Sequence, residues 1–417
     1  MNSVSATLPP LSKIAAALRK TTEVLADELA GPTAVAPLWT DFEWHIARAV
    51  AGMQGVSSLL HNRLRWRGPE TWQRFLREQL DQSVARHVEI TRVLRAIDSH
   101  ARSAEVAFVA LKGAALHARG FYAAGERPMG DIDLLIRDDD AEANARVLEL
   151  CGYEAALSTH RHQTFQPQFK KPLSDVRLGE HLDNPIKIEV HTRIAEHLPV
   201  KTVDITRCLL PREARAGLNE YPSVASLMMH LLLHAAGNMR ARALRLIQLH
   251  DIALLAARFV QGDWEELLNM RPDDSALWWA LPPLMLTAHY YPVTIPRDVL
   301  GPLSKECPWL LTRLARGQRL TEVSWSNIRI EAFPGIEWSR SGAEVLAFMR
   351  SRIWPSSNAL AELKRGAAQI PGSSTVPWYG IPHAARILRW IYSRPPRVQT
   401  LLSVRAALAQ GDSVLTD

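Results

Sequence analysis

The chain has 417 residues, of which 47% are hydrophobic and 22% are charged, and its formal net charge is +6. A chain of this length and apolar content can bury a substantial core, which excludes an intrinsically disordered protein and predicts two or three domains. Cys151, Cys208 and Cys307 lie far apart, so the sequence shows neither a disulfide scaffold nor a cysteine zinc site. The net charge is too small for this length to indicate nucleic-acid binding by itself.

The N-terminal residues lack a basic segment followed by an apolar core, so the sequence does not indicate export. No stretch reaches about 18 uninterrupted apolar residues, the length that a membrane-spanning helix needs. We therefore expect a cytoplasmic protein that does not interact with a membrane.

Both ends of the chain have the three- and four-residue apolar spacing of helices. In the N-terminal part the clearest helix is predicted over 70–99. Helical spacing returns after residue 210, first over 223–238 and 241–259, and continues with proline-rich breaks. The sequence therefore predicts helical segments over 1–104 and 206–417.

The segment 105–205 has short apolar runs instead of long helical ones. Strands are predicted over 106–111, 131–136 and 186–194, with one or two more within 154–171. Helices are predicted over 114–122 and 138–150. We therefore predict an α+β protein in which a small α/β core with a mixed sheet is flanked by N-terminal and C-terminal helical domains.

Two carboxylates share one face of the second predicted strand. Residues two apart on a strand point to the same side, so Asp131 and Asp133 lie together while Ile132 and Leu134 take the other face. Glu189 lies between apolar neighbours on another alternating strand and reaches the same place if the two strands pair. Oxygen ligands of this kind suit Mg²⁺. Two ions about 3.5–4 Å apart on these carboxylates would support in-line displacement at a nucleoside triphosphate.

A Lys-Gly turn precedes the aspartates. Gly113 has no Cβ, so phosphate can approach backbone N–H groups there, and Lys112 and Arg127 can add positive charge. Paired aspartates also occur as caps or solvated strand edges, but here the apolar flanks, the Lys-Gly turn and the later carboxylate strand together favour a metal site. The acidic run 138–140 is instead interpreted as the start of a helix, where acids complement the helix dipole.

Three histidines are candidates for supporting roles. His191 shares the face of Glu189, where it can position an acceptor or hydrogen-bond a metal-bound group, and a bond to a backbone carbonyl is an equal alternative. His230 and His234 are four residues apart on one helix face. No third ligand is evident, which favours core or supporting positions over zinc ligation.

Three arginines follow the paired histidines: Arg240, Arg242 and Arg245. One of them can bind the triphosphate or an anionic acceptor, whereas a solvated helix face is favoured for any one taken alone. Asp251 lies in an apolar helix, and we expect it to pair with one of these arginines rather than to take part in the chemistry.

These motifs resemble the DNA polymerase β-like nucleotidyltransferase superfamily, which has a glycine turn, an aspartate-pair strand and a later carboxylate strand. The corresponding segments are LKGAAL at 111–116, RPMGDIDLLI at 127–136 and IEVH at 188–191. More closely, they resemble a bacterial nucleotidyltransferase family found, among other places, beside gene clusters for modified peptides and surface polysaccharides. That family also has a helix with paired histidines and a following R-L-x-x-L-x-D segment, here RLIQLHD at 245–251.

The resemblance implies that Asp131 and Asp133 bind metal and that Glu189 is the third catalytic carboxylate. It also implies a phosphate turn at Gly113, although Ala114 stands where the superfamily usually has serine or glycine. The candidate nucleotide-binding residues are Lys112, Gly113, Arg127, His191, His234 and Arg245.

We therefore expect a nucleotidyltransferase with two Mg²⁺ ions that moves a nucleoside monophosphate from an NTP to a hydroxyl or phosphate acceptor. The acceptor class is a peptide, a small molecule or RNA, which would fit a natural-product tailoring enzyme. The alternatives are a toxin-like transferase acting on tRNA ends, a phosphotransferase that passes on the γ-phosphate, and a non-catalytic nucleotide-binding protein.

Overall fold

The computed structural model describes residues 8–158, 162–169, 178–272, 276–357, 359–361 and 381–412. The fold is α+β, as predicted, with a six-stranded mixed sheet and a two-stranded sheet among helices from both parts of the chain. Within the described ranges, no helix is long and apolar enough to cross a membrane.

The strands lie in the middle of the chain, and α-helices occur throughout the described residues. The strands are β1 (Ala107–Ala110), β2 (Asp131–Leu135), β3 (Tyr153–Ser158), β4 (Gln163–Pro167), β5 (Lys187–His191), β6 (Ala195–His197), β7 (Thr202–Asp204) and β8 (Gly217–Asn219). The α-helices are α1 (Leu11–Ala30), α2 (Asp41–Gln54), α3 (Ser57–Arg63), α4 (Glu70–Ser103), α5 (Lys112–Ala118), α6 (Ala141–Leu150), α7 (Thr206–Leu209), α8 (Val224–Arg240), α9 (Leu246–Ala256), α10 (Gln261–Asn269), α11 (Leu281–Tyr290), α12 (Arg297–Glu306), α13 (Trp309–Ala315), α14 (Leu320–Val323), α15 (Gly342–Ile353), α16 (His383–Ser393) and α17 (Val398–Asp412).

The two strands that carry the carboxylates are neighbours in the sheet. The strand order is β3-β4-β5-β2-β1-β8, and β2 runs parallel to β5. Their register places Asp133 directly opposite Glu189 and Leu135 opposite His191. The strand pairing that the metal hypothesis requires is therefore present.

One face of the sheet packs against α4 and α6. Ile132 and Leu134 of β2 are buried in this core with Ile188 and Val190 of β5, together with apolar residues of both helices. Because side chains alternate along a strand, this packing turns the carboxylates to the opposite face, toward α8. The alternating pattern in the sequence thus decides which side of the sheet carries the site.

A second core joins the N-terminal helices to the C-terminal ones. It contains buried apolar residues of α1 and α2 together with those of α8, α9, α11 and α17. Arg48 of α2 donates from Nη2 to the carbonyl oxygen of Ala407 at 2.8 Å, and the Thr22 and Ser326 hydroxyls lie 2.7 Å apart. The two predicted helical segments therefore pack against each other.

The stretch 154–171, predicted to hold one or two strands, contains β4 and most of β3, and its residues 159–161 and 170–171 lie outside the described residues. Other elements differ from those predicted. The helix predicted over 241–259 begins at Leu246, because Arg242 has a left-handed φ of 56° in the turn after α8. The edge strand β8 lies where helix is predicted, since three residues are too few to show an alternating pattern.

Candidate active site

A cavity of about 300 Å³ lies between the carboxylate face of the sheet and the helices α8 and α9. The predicted site residues that line it are Lys112, Gly113, Arg127, Asp131, Asp133, Glu189, His234 and Arg245. His191 lines a neighbouring cavity of about 160 Å³, and Lys112, Glu189 and His234 contribute to both. The structure therefore gathers the predicted residues around two adjoining spaces.

Lys112 forms an ion pair with Asp133. Its Nζ donates to Oδ1 of Asp133 at 2.8 Å, and Nε2 of His191 lies 3.1 Å from the same oxygen. Burial raises the pKa of Asp133, but Lys112 and His191 outweigh it and hold that pKa well below its usual value. Asp133 is therefore ionised at neutral pH. Both contacts are made to Oδ1, so Oδ2 can bind another cation.

The backbone of Lys112 adopts a left-handed φ of 45°, which is uncommon for a residue with a Cβ. Its N–H donates to the Tyr221 hydroxyl at 3.2 Å, and its side chain is held by Asp133. A strained conformation of this kind persists only where surrounding contacts hold it. These contacts hold the ammonium beside Asp133 of β2.

Asp131 and Glu189 bring further negative charge to the same wall. Desolvation, followed by the charges of Asp131 and Asp133, raises the pKa of Glu189 to about 7. Desolvation by the surrounding protein, followed by the charge of Asp133, also raises the pKa of Asp131, although this residue is open to solvent at the cavity. Three carboxylates therefore line this wall beside Lys112, and their oxygen atoms form a donor set that suits Mg²⁺.

Arg127 forms a buried ion pair on the opposite wall. Its Nε and Nη2 each donate to a different oxygen of Asp251 at 2.8 Å, and the Tyr122 hydroxyl donates to Asp251 Oδ1 at 2.6 Å. The expectation that Asp251 pairs with an arginine of the turn after α8 is therefore wrong. The partner comes from the loop before β2, 124 residues earlier in the chain.

Gly113 makes room for this arginine. A Cβ at this position would overlap Nη1 of Arg127 and would come within 2.8 Å of the Met129 sulfur. The space in the Cβ direction, which the sequence assigned to an approaching phosphate, is thus filled by protein. The requirement for glycine follows from the close packing of Arg127.

Arg245 differs from Arg127 in having no carboxylate partner among the residues that the structure describes. In the described part of the chain, no carboxylate oxygen lies within 4 Å of its guanidinium, and its Nε donates to the carbonyl oxygen of Met53 at 3.1 Å. A Cβ on Gly55 would overlap its Nη2, so this glycine admits the side chain. Desolvation lowers the pKa of Arg245, but arginine remains charged in proteins. Its charge is therefore available to an anionic ligand.

The two histidines of α8 are uncharged. Burial lowers the pKa of His230 well below its usual value, and its Nδ1 lies 2.7 Å from the Tyr221 hydroxyl. Burial also lowers the pKa of His234 to about 3, and its Nε2 lies 3.2 Å from Nδ2 of Asn238. His234 therefore offers the cavity a neutral imidazole.

The polar residues around these spaces that the sequence did not single out include Asn238, Gln248 and His162. Asn238 and Gln248 line the main cavity, and His162 lines the smaller one. Asn238 lies four residues after His234, which is one turn of the same helix face, so helical spacing could have indicated it. His162 directly precedes β4, and only the pairing of β4 with β5 brings it to the site.

Residues 40–287 match the model of a family described as uncharacterised nucleotidyltransferases. The chain belongs to this family. The matched part, more than half of the chain, contains the six-stranded sheet and both arginines of the main cavity. No curated protein and no solved structure matches the chain. Membership in the family supports nucleotidyl transfer as the general activity.

Proposed function

We propose that the protein is a Mg²⁺-dependent nucleotidyltransferase that moves a nucleoside monophosphate from an NTP to a peptide, small-molecule or RNA acceptor. The observation that carries this proposal is the register of β2 and β5. It sets Asp133 opposite Glu189, with Asp131 on the same face, at a cavity whose far wall holds Arg245.

Asp131, Asp133 and Glu189 are the residues that would hold two Mg²⁺ ions. When bound, such ions lower the pKa of the attacking hydroxyl and neutralise the leaving pyrophosphate. The donor set supports this assignment, because all three ligands are carboxylates and Mg²⁺ favours oxygen ligands. Lys112 keeps Asp133 ionised and so preserves its capacity as a ligand.

The triphosphate binds between the two walls. Arg245 is suited to its oxygens because a guanidinium donates paired hydrogen bonds to phosphate and this one has no carboxylate partner in the described ranges. Arg127 is held in place by its ion pair with Asp251, and Gly113 leaves space for its side chain. Arg127 therefore forms part of the cavity wall and contributes positive electrostatic potential there. His234 faces the nucleotide as a neutral hydrogen-bonding group.

The acceptor enters from the side of His191. The smaller cavity shares Glu189 with the larger one, so an acceptor oxygen there can approach the α-phosphorus. A bond forms between these atoms as the bond to pyrophosphate breaks, and the acceptor's proton passes to Glu189 or to solvent. A space of about 160 Å³ admits only the reacting end of an acceptor.

The test compares transfer of the α- and γ-phosphates. The protein is incubated with Mg²⁺, cell extract or total tRNA, and each NTP labelled at either phosphate, and the mass of the product is measured. We expect transfer of the α-label only, loss of transfer with chelator or in Asp131→Asn, and retention in Asp138→Asn, which changes an exposed acid outside the cavity.

Transfer of the γ-label alone would overturn nucleotidyl transfer in favour of phosphoryl transfer. Mg²⁺-dependent NTP binding without any labelled product would favour the non-catalytic alternative. A labelled tRNA would assign the acceptor as RNA, and an unlabelled tRNA beside a labelled small product would remove the tRNA alternative.

A further inference from the structure

Two histidines and a carboxylate converge at the smaller cavity. One ligand atom from each of His162, Glu189 and His191 lies within 4.8 Å of the others. We infer that these residues form a binding site for a single Zn²⁺ ion, distinct from the Mg²⁺ sites proposed at the aspartates. This inference concerns metal binding and does not depend on nucleotidyl transfer.

The sheet brings the three ligands together. In the antiparallel pair of β4 and β5, Gln163 is opposite Val190, so His162 falls beside His191, and the two ring centroids are 5.2 Å apart. Glu189 shares the face of His191 because it lies two residues earlier on β5. Its carboxylate lies between the rings, with Oε1 3.6 Å from Nε2 of His162 and Oε2 4.0 Å from Nε2 of His191.

The donor set distinguishes this cluster from the aspartate site. Two imidazole nitrogens and one carboxylate oxygen are the ligands of a three-residue zinc site, whereas Mg²⁺ favours oxygen ligands. All three residues line the cavity of about 160 Å³, so an ion held by them keeps a coordination position open toward that space. Such a position accepts water or an oxygen of a small molecule.

Glu189 can serve both sites because it lines both cavities and has two carboxylate oxygens. His191 must change partner, since its Nε2 lies 3.1 Å from Oδ1 of Asp133. Asp133 retains Lys112 at the same oxygen when His191 turns to the metal ion. The proposed ion therefore replaces the contact of His191 with Asp133 and leaves the ion pair of Asp133 with Lys112 in place.

The experiment uses Co²⁺ as a spectroscopic substitute for Zn²⁺. Chelator-treated full-length protein is titrated with Co²⁺ in excess Mg²⁺, and the visible absorption of nitrogen-ligated Co²⁺ is recorded. We expect one Co²⁺ per chain, displaced by one Zn²⁺, and at least about tenfold weaker binding in His162→Ala. His61→Ala is the matched control, because His61 is exposed and lies outside both cavities.

Circular dichroism establishes that each variant is folded, and His162→Gln provides a second, polar replacement. The inference is overturned if the wild type shows no visible band, or if both His162 variants are folded and bind Co²⁺ as the wild type does. Asp131→Asn separates the two proposals: it should keep the Co²⁺ band, whereas nucleotidyl transfer should be lost. Failure of transfer in the wild type would leave the Co²⁺ result unaffected.

Discussion

The two walls of the main cavity hold their charges in opposite ways. On the sheet wall, Asp131, Asp133 and Glu189 lie beside Lys112, and desolvation together with the repulsion between the carboxylates raises the pKa of Glu189 to about 7. On the helix wall, Arg127 is neutralised by Asp251, whereas Arg245 has no carboxylate within 4 Å in the part of the chain that the structure describes.

This difference separates structural charges from charges available to a ligand. A buried cation that already forms two hydrogen bonds to a carboxylate fixes the wall, while a cation without such a partner can bind an anion. The proposed metal-bound triphosphate would complement both walls at once, since its cations would meet the carboxylates and its phosphates would meet Arg245. The first three predictions below change one wall at a time, and the fourth concerns a buried histidine outside the cavity.

The largest expected effect comes from Asp133→Asn on the sheet wall. It removes a metal ligand and the partner of Lys112, so kcat should fall at least about 10³-fold. Product formation under saturating NTP and Mg²⁺ measures this loss, with Asp138→Asn as the control. Activity within tenfold of the wild type would remove the sheet wall from the chemistry.

Asp251→Ala should destabilise the protein by about 3–5 kcal/mol, because it leaves the buried guanidinium of Arg127 without its partner. Urea unfolding measures the change. The double variant Arg127→Met/Asp251→Leu should be more stable than Asp251→Ala, since it removes both charges together. A loss below about 1 kcal/mol for Asp251→Ala would show that the pair behaves like an exposed one.

Arg245→Ala should weaken NTP binding about 10- to 100-fold, because this is the loss of affinity expected when hydrogen bonds to a charged group are removed. Its effect on unfolding should be smaller than that of Asp251→Ala, because its side chain has a carbonyl partner and no ion pair within 4 Å in the described residues. Calorimetric titration with Mg²⁺–NTP measures the binding. Arg258→Ala is the control, since Arg258 is exposed and lies over Phe121 outside the cavity.

His250 should make stability depend on pH. Burial lowers its pKa to about 4, so the unfolded chain, with a pKa near 6.5, binds the proton first as the pH falls. The contribution of His250 to the free energy of unfolding is complete above about pH 6.5 and declines toward pH 4. At pH 5 the protein should have lost about 2 kcal/mol of stability through this residue. Urea unfolding at pH 7 and pH 5 measures this effect. Between these two pH values, His250→Gln should lose less free energy of unfolding than the wild type, whereas the control His61→Gln should lose as much as the wild type.

The sequence predicted those parts of the site that local patterns determine. Asp131, Asp133 and Glu189 could be placed on one face because their apolar neighbours alternate with them and pack on α4 and α6. The partner of Asp251 could not be found in this way, since Arg127 is 124 residues away and no local period relates them. The position of the Lys112 ammonium depends on a left-handed φ that residue preferences do not predict.

The shortest strands also could not be predicted from local sequence patterns. β8 has three residues, and it becomes a strand by pairing with β1 rather than through its own pattern. His162 reaches the site only because β4 pairs with β5 in one particular register. Sequence periodicity therefore identifies strongly patterned elements, and contacts between distant elements decide the remaining site residues.

The most direct test of the account is NTP binding measured by calorimetry with and without Mg²⁺ in the wild type, Asp133→Asn and Arg245→Ala. The account predicts that Mg²⁺ strengthens binding to the wild type and to Arg245→Ala, with the variant weaker throughout, and that Asp133→Asn loses the Mg²⁺ dependence. Equal Mg²⁺ dependence in the wild type and Asp133→Asn would contradict the claim that the sheet wall and the helix wall bind one metal-bound triphosphate.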